Sequence, residues 1–182
     1  MFTARLRVVA LAIGITFFLT GCGNSPQKKD YEVPSTCENQ RVIDALPADI
    51  RSQSSNISAT WNPAPGTDLA TVIENTGIAC TYGVQSKEIG VTIYWTKDDN
   101  GKIFDSRVQG WTELGMKPAT INGATKAYAL EDNASLNPEI HSYAVDFLYE
   151  GIWVHIGSTY MYTLADARPM IDAAIATFTT NQ

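Results

Sequence analysis

Histidine is the side chain best suited to moving a proton near neutral pH, and the chain has only two, His141 and His155. His155 stands in an apolar run, 152–159, that follows another, 142–149, across Glu150-Gly151. If Glu150 and Gly151 make a two-residue reversal, Tyr149 faces Ile152, Phe147 faces Val154 and Val145 faces Ile156. One sheet face is then wholly apolar; on the other, Leu148 meets Trp153 and Asp146 meets His155. A three-residue loop with a glycine bulge would shift this pairing and mix the faces, so the apolar pattern selects the first register. An aspartate beside a histidine, with Ser142 or Ser158 near, is the residue set of a triad hydrolase. No Gly-x-Ser-x-Gly elbow accompanies it. The plainer expectation is a cross-strand charge pair worth on the order of a few tenths of a kcal/mol on a partly exposed face. One His and one Asp are too few for a closed zinc site, and no metal or cofactor is expected.

Other polar clusters point to turns. Asp98-Asp99 and Glu131-Asp132 each lie beside Asn, and Asp98-x-Asn100 lacks the later ligands of a calcium loop. Gly-x-Gly occurs only at Gly21-Cys22-Gly23, so no phosphate-cradling loop is present. Aromatic residues form the other candidate set. Trp95, Trp111, Trp153, Tyr160 and Tyr162, with Trp61 and Tyr94, could line a groove for a glycan or peptide, together with Asp146 and His155. Core packing is the competing use for the same side chains.

The elements that must position these residues follow from periodicity and punctuation. Ser35 to Glu38 fits a capping box opening a helix that carries Val42, Ile43 and Leu46 and stops at Pro47. Residues 57–61 are a possible short strand, and 69–75 fits either helix or strand. Residues 78–85 and 89–96 predict two strands, the second with strict alternation of Ile89, Val91, Ile93 and Trp95. Residues 104–114 predict a helix ending at Gly115. Residues 118–121 and 125–130 predict a hairpin across Asn122-Gly123. The tail, 164–178, predicts a helix whose regular part starts at Pro169. The expected fold is α+β: an antiparallel sheet of about five to six strands with helices packed on one face.

The start of the chain has a separate logic. Arg5 and Arg7 precede an apolar run from Val8 to Leu19, about a dozen residues, which suits a signal peptide better than a membrane span of roughly 20. Leu19-Thr20-Gly21-Cys22 resembles the bacterial lipobox. The resemblance implies a diacylglyceryl group on the Cys22 sulfur and cleavage between Gly21 and Cys22. The alternatives are an ordinary secretory signal, or an uncleaved anchor with Cys22 incidental. Residues 1–21 are then the leader, 22–34 a polar tether and 35–182 a single domain. Without the leader the chain carries 11 Lys and Arg against 19 Asp and Glu, a net charge of −8. Such an acidic domain disfavours nucleic acid, whose phosphates are bound by Lys and Arg. Assigning Cys22 to lipid leaves Cys37 and Cys80 as an even pair in an exported chain, which predicts a disulfide; two buried free thiols, or a reactive one, are the alternatives.

The lipobox, the cysteine before the first helix, the Cys80-Thr81-Tyr82 sequence and the closing helix together resemble the small cell-envelope lipoproteins of actinobacteria in domain-of-unknown-function families. That resemblance implies a disulfide and an envelope location, and it carries over no catalytic residue. The expectation is a lipid-anchored module on the outer face of the cell membrane that binds an envelope protein or glycan without catalysing a reaction. The second expectation is an envelope hydrolase using His155 with Asp146.

Overall fold

A computed structural model describes residues 30–51, 54–57, 62–84, 89–130 and 142–179. The leader, the Gly21–Cys22 junction, Trp61 and His141 lie outside the described residues. Four helices, α1 (Gln40–Ala45), α2 (Asp68–Glu74), α3 (Lys102–Glu113) and α4 (Leu164–Thr179), surround strands β1 (Ser54–Asn56), β2 (Ile78–Val84), β3 (Ile89–Lys97), β4 (Lys117–Pro118), β5 (Lys126–Leu130), β6 (Tyr143–Tyr149) and β7 (Ile152–Ser158). The strands form one sheet in the order β1-β2-β3-β7-β6-β5-β4, and each neighbouring pair is antiparallel. The fold is α+β. Among the described residues, two of the seven strands are edge strands of three and two residues. Among the described residues no helix is long and apolar enough to cross a membrane.

The β6–β7 hairpin has the register that its apolar pattern requires: Tyr149 pairs with Ile152, Phe147 with Val154 and Asp146 with His155. Glu150 (φ 49°) and Gly151 (φ 80°) both lie in the left-handed region, the two-residue turn whose twist matches the flanking strands. Three local expectations are corrected. Helix α1 is capped by Asn39, whose side chain accepts from the Arg41 and Val42 amides, and not by Ser35. Asp98 is no solvated turn residue: it is buried, and its carboxylate accepts from the Ile103 and Phe104 amides at the start of α3. Pro169 lies inside α4, because a reciprocal cap between Thr163 and Asp166 already starts the helix one turn earlier.

The expectation of helices on one face is overturned. Cys80, Tyr82, Val91, Ile93, Trp95, Val145, Phe147, Val154 and Ile156 point to one side and pack with α1 and α4 residues such as Val42, Met170 and Phe178. Leu148 and Trp153 point to the other side and pack with Val72 of α2 and Phe104 and Trp111 of α3. Successive strand residues alternate faces, so the sheet is sandwiched between two helix pairs. Disulfide formation between Cys37 and Cys80 is present and ties the segment before α1 to β2. Residues before Ser35 also pack on the domain. Asp30 pairs with Lys97, Tyr31 packs edge-on against Phe178, and Val33 packs on the same core.

Candidate functional site

On the α2–α3 side, one row across the central strands reads Ala79, Tyr94, His155, Asp146, Tyr128. The next row, further from the β6–β7 turn, reads Thr81, Thr92, Gly157, Ala144. From Tyr94 onward the first row carries large or ionisable side chains under the edge of the two helices. From β2 to β6 the second carries only small ones; Leu130 continues it on β5 and, like Ala144, packs on the cluster that holds the α2 and α3 side chains. The result is a groove of about 480 Å³ lined by Thr81, Thr92, Tyr94, Ala144, His155 and Gly157, with Gly83, Gly90, Ser142 and Thr159 at its far end.

His155 stands on the border between the covered row and this groove. Its Nδ1 lies 3.0 Å from each oxygen of Asp146, and its ring stacks on Tyr94 with centroids 4.7 Å apart. A Cβ at position 157 would sit 3.1 Å from His155 Nε2, so the ring leans along the strand over Gly157. Glycine inside a strand marks such a close approach. No described group hydrogen-bonds Nε2, which leaves that nitrogen to the groove.

Behind the histidine lies a buried polar network. Asp146 is fully buried, and its Oδ1 also accepts from Trp153 Nε1–H at 2.8 Å. Asp68, at the first turn of α2, accepts from Arg107 Nε–H at 2.6 Å and from Trp111 Nε1–H at 2.8 Å. The two indoles pack 5.7 Å apart. Each carboxylate thus pairs with one indole and one basic side chain. Burial raises the Asp146 carboxyl above its ordinary range, opposed by the charge and hydrogen bond of His155. For His155, burial pulls downward, but the charge and hydrogen bond of Asp146 and the charge of Asp68 outweigh it, and its pKa lies above 6.5. Tyr94 is pushed up to about 12 by burial and by the charges of Asp68 and Asp146, so it stacks on the imidazole as a neutral phenol. Ligand atoms of Asp68, Asp146 and His155 lie within 4.8 Å of one another, a spacing that could hold a metal ion. Protein donors already engage both oxygens of each carboxylate, and the acids and bases balance without one.

The sequence-derived candidates divide sharply. Asp146 and His155 come together as expected, but in a buried network and not on a solvated face. Trp95, Trp111 and Trp153 are no more than 2% exposed; their N–H groups reach Ala174 O, Asp68 and Asp146, so these indoles build core and line no groove. Tyr160 is half-buried and Tyr162 is exposed, and neither borders the groove. Cys37 and Cys80 are bridged. Sequence reasoning missed Asp68, Arg107 and the small-residue floor. The signal for the floor was present in Gly90, Gly157, Thr92 and Ala144, which interrupt otherwise bulky strands.

Compared with protein-family models, curated proteins and solved structures, the chain finds no match.

Proposed function

We propose that this protein is a lipid-anchored extracytoplasmic binding module, of the lipoprotein kind its sequence resembles, and that its ligand lies in the groove beside His155. The observation that carries this reading is the anchored histidine: Nδ1 is held by Asp146 while Nε2 faces a groove floored by small side chains. A protonated His155 offers Nε2–H as a donor. Thr92 adds a hydroxyl and Tyr94 adds apolar surface. The matching ligand is small and amphipathic, with a carbonyl or carboxylate oxygen to accept from Nε2. Acylated sugars and peptides of the envelope carry such groups.

A hydrolase is the second reading, favoured by the Asp–His pair itself, since the neutral imidazole could serve as a general base at Nε2. Among the described residues no Ser, Thr or Cys side chain hydrogen-bonds that nitrogen, so the base would have to activate water. One experiment separates the two. Amide-resolved NMR spectra are recorded with short peptides and N-acetylated oligosaccharides, and the same compounds are assayed for cleavage. Binding is expected to perturb Thr92, His155 and Gly157, to leave the ligand intact, and to be lost when Thr92→Trp fills the floor. Perturbations confined to other surfaces would remove the groove from the account, and cleavage lost in His155→Gln would establish the hydrolase.

A further inference from the structure

We propose that the groove opens away from the membrane, at the end and on the face of the domain opposite its anchor, and so takes its ligand from the aqueous side of the envelope and not from the bilayer. This rests on the reading of Cys22 as a lipidated residue.

The point at which the chain enters the domain is fixed by two contacts. Lys97 Nζ donates to Asp30 Oδ1 at 2.7 Å, and Tyr31 meets Phe178 edge-on at 6.2 Å. Phe178 in turn packs on Tyr149 at 5.9 Å. Lys97 and Tyr149 both pair with Ile152, in the row beside the Glu150–Gly151 turn. The chain therefore arrives at the turn end of the sheet, on the α4 face. The groove lies on the α2–α3 face and runs toward the other end, where Gly83 pairs with Gly90 and the Thr159 amide donates to Gly90 O. Along β3 the two ends differ by the run from Lys97 to Gly90, about 23 Å at the rise of an extended strand.

Eight peptide steps separate Cys22 from Asp30, a reach of at most about 29 Å even when fully extended. To lay the groove on the bilayer, those residues would have to run almost straight past the whole length of the sheet and around to its other face. That conformation forfeits nearly all of the segment's freedom. Shorter and far more numerous paths leave the turn end toward the lipid.

The test uses the mature diacylated protein with its disulfide intact, bound to phosphatidylcholine vesicles that contain a lipid with a nitroxide on its headgroup. A fluorophore is placed at Glu150→Cys, at the turn end, or at Ser142→Cys, on the groove rim. Quenching is expected to be several-fold stronger at position 150 than at position 142. Equal quenching, or stronger quenching at 142, overturns the proposal while the anchor stands. Protein from cells that shows no diacylglyceryl mass on Cys22 ends the anchor reading and this one with it.

Discussion

Asp146→Ala is expected to destabilise the domain by about 3–5 kcal/mol, the range seen when one partner of a buried charged pair is removed. The carboxylate is fully buried and is the acceptor for both Trp153 Nε1–H and His155 Nδ1. Its removal leaves the indole N–H, on a side chain 1% exposed, without an acceptor, a loss of about 1–3 kcal/mol by itself. It also leaves the imidazole with burial and only the charge of Asp68 to oppose it, so His155 should lose its proton at a lower pH than in the parent. Asp146→Asn keeps an acceptor for Trp153 and should cost less. Urea denaturation of the parent and both variants measures the difference. A loss below about 1 kcal/mol would mean that the pair behaves like a solvated surface ion pair, and the network described here would be wrong.

Replacing both Cys37 and Cys80 with Ala is the second large effect. The bridge joins residues separated by 43 positions, and the chain-entropy relation gives about 4 kcal/mol for a loop of that size. Cys80 is fully buried on a strand inside the sheet, whereas Cys37 lies in the irregular segment before α1. Once the bridge is gone, that segment keeps the bond from the Tyr82 hydroxyl to Cys37 O, 2.9 Å long, together with the apolar contacts of α1. For a domain of this size the melting temperature should fall by about 8–16 °C. A fall of only a degree or two would show that the unfolded chain gains little freedom from losing the bridge.

What could be read from sequence follows the range of the interactions. The β6–β7 pairing was legible because a two-residue turn and strict alternation act over a few residues, and they place Asp146 opposite His155 without further information. The same hairpin also held the sign that both faces are covered. Leu148 and Trp153 are apolar yet point away from the Val145, Phe147 and Val154 face, which requires a second layer of helices. Asp68 was not legible as part of the site. It reaches Trp111 and Arg107 through the packing of α2 against α3, a contact made across 43 and 39 residues. The tryptophans were ambiguous for a related reason: an indole can be buried only where its N–H finds an acceptor, and the acceptors Asp68, Asp146 and Ala174 O are all distant in sequence. At α1 the cap read from sequence was Ser35, whereas Asn39, next to the first helical residue, takes the role. The disulfide needed no geometry, since assigning Cys22 to lipid left a single pair.

The pH dependence of the site follows from the same groups. A histidine whose pKa is raised on folding adds stability below its unfolded value near 6.5, and that contribution is lost as pH rises through the folded value. The measurement that bears most directly on the site is nitrogen-detected NMR of the His155 ring across about pH 5 to 9, where an imidazole can change charge. Nδ1 should keep its proton throughout, Nε2 alone should titrate, with a pKa raised above that of an ordinary histidine by the charge and hydrogen bond of Asp146, and a groove ligand should shift the Nε2 signal. A pKa at or below 6.5, or a neutral form protonated on Nε2, would contradict an Asp146-held histidine presenting Nε2 to the groove.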